Sequence, residues 1–137
     1  MEQTIEVNWK RNMLFETQIN GHQLIMDVAK AQGGDDEGMR PKPLMMAALA
    51  GCTGIDVVSI LKKMRVGYDN FKITITAQLT ETEPKYYTGM HIIYEFYGKD
   101  LPYEKIERAV KLSQEQYCGV SHMYRNFMKI TYEIIIK

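Results

Sequence analysis

The chain is 137 residues long, 45% hydrophobic and 25% charged, with seventeen basic and seventeen acidic side chains and a formal net charge of zero. That balance excludes a broad electrostatic grip on nucleic acid or on an anionic membrane surface. It also leaves little repulsion between copies, so self-association is expected. The length fits a single domain, residues 1–137, with a core of ordinary size.

The opening residues, MEQTIEVNWKR, carry charges throughout, so no signal peptide is expected. No stretch is expected to approach the length of a membrane span. Both readings place the protein in the cytoplasm. There a lone pair of cysteines, Cys52 and Cys118, reads as redox-active or as two unrelated thiols rather than as a permanent crosslink. Ten methionines are many for this length, and they suit an irregular core or an adaptable apolar pocket.

TIEVNW and MLFETQI alternate apolar and polar residues, as half-buried strands do. Asn20-Gly21 reads as a tight hairpin turn, and HQLIMDV as a third strand of a meander. AQGGDDEGMRPKP is a polar, mobile loop whose acids would repel phosphate. Pro43 suits the first turn of a helix running to about Arg65, with Gly67 as its stop. At roughly 1.5 Å per residue this is a rod of about 33 Å. Ala47, Ala50, Gly51, Gly54 and Val58 share one side of it. Glycine inside a helix costs about 1 kcal/mol against alanine, so close approach of another backbone is expected there, with the helix central and tightly packed.

FKITITAQLT and YYTGMHIIYEFYG form a long hairpin closed by ETEPK. DLPYEKIERAVKLSQEQ carries Ile106, Ala109 and Val110 at helical spacing, CGVSHMYRNFM is a short extra helix or turn, and KITYEIII is a closing strand. The order βββ–α–ββ–α–α–β is α+β, a mostly antiparallel sheet packed by one long helix and a shorter one.

From its segment alone Cys52 reads either as a small packed hydrophobe or as a reactive thiol. Cys118 falls at the start of a late helical element, where free N–H groups favour a thiolate, so local reasoning makes it the more acidic thiol. His122 lies four residues on and could share a face with it, yet it reads better as an ordinary surface or core histidine. Asp56, four residues after Cys52, would raise a neighbouring thiol's pKa, and reads better as a hydrogen-bonding partner for backbone or a cation. Two cysteines and three scattered histidines show no zinc spacing, so neither metal nor cofactor is expected.

PKPLMMAALAGCTGIDVVSIL together with CGVSHMY resembles the OsmC/Ohr family, the osmotically inducible and organic hydroperoxide resistance proteins. The resemblance spans nearly the whole chain. It implies an intertwined homodimer with two long helices at its centre and the active site at the dimer interface. It implies thiol-dependent reduction of organic hydroperoxides, with Cys52 as peroxidatic thiol, Cys118 as resolving thiol and a small dithiol, lipoyl groups being usual, as reductant. The family's glutamate nine residues before the first cysteine is Pro43 here, and its arginine position falls at Met13 or Leu14, with Arg11 close by. Arg11, Arg40 and Arg125 are therefore the candidate cations, with His122 as a further supporting residue. The alternatives are a non-enzymatic dimer binding an apolar small molecule and a redox-sensing thiol pair without turnover.

Overall fold

Two residues with positive φ, Asn20 at 52° and Gly21 at 80°, close the turn between strands β2 (Leu14–Ile19) and β3 (His22–Met26). Such a turn matches the right-handed twist of the flanking strands. The computed structural model describes residues 1–137 and divides the chain into two compact units, residues 1–45 and 46–137. In the first, β1 (Val7–Arg11), β2 and β3 form the expected antiparallel meander in the order β1-β2-β3.

The acidic loop after β3 is not the open polar segment that its composition suggests. Asp27 is buried, and its carboxylate accepts backbone N–H bonds from Val28 at 2.7 Å, Asp35 at 3.2 Å and Glu37 at 3.1 Å. Met39 bridges back to Met26, and a short 3-10 turn covers Lys30–Gln32. Gly38 lets the loop pass close to β3, where a Cβ would lie 2.6 Å from the Ile25 carbonyl oxygen, and Gly34 lets it close on Val28, whose carbonyl oxygen would lie 2.2 Å from a Cβ there. The organising group is one carboxylate at the end of the β3 pattern, which composition alone does not reveal.

Helix α1 (Pro43–Lys63) ends earlier than expected, and Gly67 is not its stop. Arg65 takes the left-handed conformation, φ 59°, while Arg65 N–H bonds to Lys62 O and Val66 N–H to Leu61 O. This is a Schellman closure with arginine in the position glycine usually holds. The 21-residue helix is also long and apolar enough to cross a membrane, which corrects the expectation that no stretch approaches that length. Alanine and glycine hide the apolar run from a casual reading. Leu49, Thr53, Val57 and Leu61 on its inner face are buried and pack into the core of the second unit, so it serves here as a core helix.

That core also takes Met90, Ile92, Tyr94 and Phe96 from β5 (Tyr87–Tyr97) and Ile106, Ala109 and Val110 from α2 (Tyr103–Leu112). Strand β4 (Asn70–Leu79) pairs antiparallel with β5 (Tyr87–Tyr97), from Asn70 opposite Tyr97 to Leu79 opposite Tyr87. Every second residue of β5 faces the core, as a pleated strand requires. After β5 the chain runs through α2 (Tyr103–Leu112), a π-helical turn (Ser113–Tyr117) and α3 (Gly119–Tyr124) before β6 (Lys129–Ile136). Strand β6 lies parallel to β5, the one parallel pair in an otherwise antiparallel set. The element order agrees with the α+β reading, with the strands divided between two three-stranded sheets.

The small-residue side of α1 is open within the chain. A Cβ on Gly51 would meet nothing within 4 Å, and Ile55 is 73% exposed. Gly54 alone approaches a neighbour, the Ile73 side chain. An apolar groove of about 720 Å³ runs along this side, lined by Gly51, Gly54, Ile55, Val58, Phe71 and Ile73 among others. The expected tight backbone packing against this stripe is absent from the single chain.

Candidate active site

The two cysteines are free thiols that lie near each other, Cys52 half-buried on α1 and Cys118 buried at 3% exposure. Between α2 and α3 the chain widens into a π-helical turn, closed by a Cys118 N–H bond to Ser113 O at 2.8 Å, and this turn places Cys118 at the start of α3. Single π turns recur at functional sites because they re-aim one residue without ending the helical run.

Cys118 caps α3, its sulfur accepting the Ser121 N–H at 3.4 Å. Position at a helix start favours the Cys118 thiolate, but its burial works the other way. Burial pushes the Cys118 thiol up, and the adjoining Cys52 thiol adds to the rise, while the Ser121 side chain and N–H pull it back in part. Desolvation of a buried anion outweighs one capping bond here.

Behind the thiols lies a buried polar chain that the sequence did not suggest. Thr53 Oγ1 stands 2.6 Å from Tyr94 Oη and 2.7 Å from Ser113 Oγ. Gln114 Nε2 donates to Tyr94 Oη at 2.8 Å and Thr53 Oγ1 at 3.2 Å. Ser113 Oγ donates to Asp56 Oδ2 at 2.9 Å. Arg125 donates through Nη1 to Gln114 O at 2.7 Å and through Nη2 to Gln114 Oε1 at 2.6 Å. These bonds fix the hydroxyl protons. Ser113 gives its proton to Asp56, so it must accept from Thr53. Thr53 in turn accepts from Tyr94, which accepts from Gln114. The donors therefore point one way, from the Arg125 guanidinium to the Asp56 carboxylate. Burial holds the Tyr94 phenol up to about 12, so at neutral pH it remains the donor that this order needs.

Asp56 is thus hydrogen-bonded as expected, though to a serine hydroxyl rather than to backbone or a cation. Arg125 is fixed on Gln114 in the turn before Cys118. His122 is exposed on α3 and shares with Cys118 a polar pocket of about 160 Å³. Arg11 pairs with Glu37, and Arg40 pairs with Asp36 at 2.7 Å, so each is matched by a carboxylate of the acidic loop. No cluster of three histidine, cysteine or acidic side chains is arranged to hold a metal ion. Thr53, Tyr94, Ser113, Gln114 and Ser121 are the residues that sequence reasoning missed. Thr53 and Ser121 sit beside or within the two cysteine segments, but nothing in a lone sequence marks Tyr94 as their partner.

Fold and site together define an α+β protein with two neighbouring thiols, one carried on a long helix and one after a π-helical turn at the start of a short helix. A family model described as OsmC-like protein matches residues 34–133, and the chain belongs to that family. It is 33% identical over 132 residues to Protein YhfA of Escherichia coli strain K12, covering 94% of this chain and 96% of that protein. A crystal structure of a hypothetical protein from Aquifex aeolicus VF5 is 29% identical, with a TM-score of 0.82 over 100% of this chain and 99% of that one. An organic hydroperoxide resistance protein OsmC from Legionella pneumophila shares the fold at 17% identity, with a TM-score of 0.67 over 98% and 97% of the two chains. The resemblance read from the two cysteine segments is therefore a family relationship.

Proposed function

We propose that the chain is a thiol-dependent peroxidase of organic hydroperoxides, acting through Cys52 and Cys118 as one OsmC-like domain, residues 1–137, in a cytoplasmic homodimer. The observation that carries this reading is the nearness of the two thiols, one half-buried and one buried, in a chain of this family. The name of the Legionella relative supports the substrate class.

The Cys52 thiolate attacks the terminal oxygen of the hydroperoxide and the O–O bond breaks. The alkoxide takes up a proton and leaves as the alcohol, and Cys52 becomes a sulfenic acid. The Cys118 thiolate then attacks that sulfur. An S–S bond forms, and the departing hydroxide takes a proton and leaves as water. A small dithiol, of the lipoyl class, reduces the disulfide and is itself oxidised to its own disulfide. Cys52 takes the first role because its sulfur is the more accessible of the two. Arg125 supports the second step by holding the turn that presents Cys118, and His122 borders the pocket beside it. Stopped-flow mixing with cumene hydroperoxide and dihydrolipoamide tests this. Dithiol consumption by the wild type and none by Cys52→Ser is expected; full activity in Cys52→Ser would sink it.

The open groove along α1 favours a second copy of the chain as its cover, since exposed Ile55 and Val58 beside two glycines suit helix-to-helix contact. The same groove supports the other reading, a non-enzymatic dimer that holds an apolar small molecule. Native mass spectrometry separates them. Empty dimers with peroxide turnover support the first, and a co-purified ligand without turnover supports the second.

A further inference from the structure

The Ser121 hydroxyl is the one buried side-chain polar atom in the chain without a hydrogen-bond partner. Ser121 is fully buried in the first turn of α3, which Cys118 caps, and its side chain acts to lower the Cys118 thiol's pKa, as a hydroxyl able to donate to the ionised sulfur would. The backbone N–H of the same residue already donates to that sulfur at 3.4 Å. Burying a hydroxyl unmatched is unfavourable, and alanine would fill the site with no orphan group. A neutral thiol is a poor acceptor, whereas a thiolate accepts strongly. The partner that the hydroxyl lacks is thus the one that ionisation of Cys118 creates.

We propose that Ser121 is a positioning residue for the Cys118 sulfur, its N–H and hydroxyl converging to hold that atom as an anion. The anion is needed twice: when Cys118 attacks the oxidised Cys52, and when it departs from a Cys52–Cys118 disulfide. In the first case the thiol proton goes to solvent, the S–S bond forms and hydroxide leaves as water. In the second an attacking dithiol bonds to the more accessible Cys52 sulfur, and Cys118 leaves with the electron pair of the broken S–S bond. The place of Ser121 in a reaction rests on the two-thiol reading above, but its hold on the sulfur does not depend on turnover.

The test uses the full chain carrying Cys52→Ser, so that Cys118 is the only thiol. Its ionisation is followed by ultraviolet thiolate absorbance against pH, with the Cys52→Ser, Cys118→Ser chain subtracted for tyrosine. Adding Ser121→Ala is expected to raise the midpoint, so that the thiolate-to-thiol ratio at a fixed pH falls about tenfold, the scale of a lost hydrogen bond to a charged group. Ser121→Thr keeps the hydroxyl and is expected to stay near the parent. The Ala variant should melt no lower than the parent, because it removes an orphan polar group. An unchanged or lowered midpoint in Ser121→Ala overturns the proposal, as does a melting change with no midpoint change. Absence of peroxide turnover in the wild type would instead defeat the peroxidase reading and leave this titration as it stands.

Discussion

The Tyr94 hydroxyl on β5 and the Thr53 hydroxyl on α1 lie 2.6 Å apart, one residue along the helix from Cys52. Through this bond the sheet fixes the rotation of the helix that carries the accessible thiol. Tyr94→Phe removes the donor to Thr53 and the acceptor of Gln114. We expect a loss of about 1–3 kcal/mol in chemical denaturation with an unchanged denaturant slope. The same phenol sets an alkaline limit. Its folded-state pKa of about 12 lies above the ordinary value of 10, so its contribution is fully present below pH 10 and fades as pH rises toward 12, by at most about 3 kcal/mol. Wild type should lose stability over that window, and Tyr94→Phe should lose less. Identical alkaline profiles would contradict the assignment.

Arg125 is a candidate cation for the thiolate, and its guanidinium bonds to Gln114 O and Oε1 in the turn before Cys118. Arg125→Met is therefore expected to slow oxidant-driven joining of Cys52 to Cys118 several-fold, because the turn bearing Cys118 loosens. The pH profile of Cys52 alkylation should stay in place. A shift of that profile would return Arg125 to the role of a thiolate-stabilising cation.

The acidic loop should depend on one proton. Backbone N–H donation, from Glu37 first, holds the Asp27 carboxyl below its usual range against the opposing effect of burial. Its contribution is therefore present above the ordinary aspartate value of about 3.9 and is lost as pH falls through the lowered folded-state value. Hydrogen exchange at the Asp35 and Glu37 amides should accelerate below about pH 4 before the core opens. Asp27→Asn should reproduce the acceleration at neutral pH, and protected amides in that variant would refute the account.

Ile55→Glu tests the open side of α1. Ile55 is 73% exposed in the single chain, so the substitution should leave the melting of an isolated chain nearly unchanged. If a second copy covers the groove, the buried carboxylate should shift the protein from dimer to monomer by light scattering. A dimer of unchanged affinity would place the interface elsewhere.

Much of this was legible from residue patterns. The alternation of Phe71, Ile73, Ile75 and Ala77, the Asn20-Gly21 turn and the helical spacing of Ile106, Ala109 and Val110 each encode a local geometry, and each element formed where its pattern lies. The two cysteines were visible as candidates because their segments resemble one family. What stayed hidden depends on contacts distant along the chain. Nothing around Asp27 announces that the amides of Asp35 and Glu37 will converge on it. The left-handed Arg65 was missed because glycine two residues later was the more obvious stop. The acidity of Cys118 is overestimated from sequence because position at a helix start is local, whereas desolvation is set by everything packed around the sulfur.

The central claim is that Cys52 and Cys118 act as one redox unit. The most direct measurement is peptide mapping by mass spectrometry after one equivalent of cumene hydroperoxide is added to the fully reduced protein and free thiols are then blocked. The account predicts a single Cys52–Cys118 disulfide, and trapping of a Cys52 sulfenic acid when Cys118→Ser removes the second thiol. Two unmodified thiols after peroxide, or oxidation confined to Cys118, would contradict it.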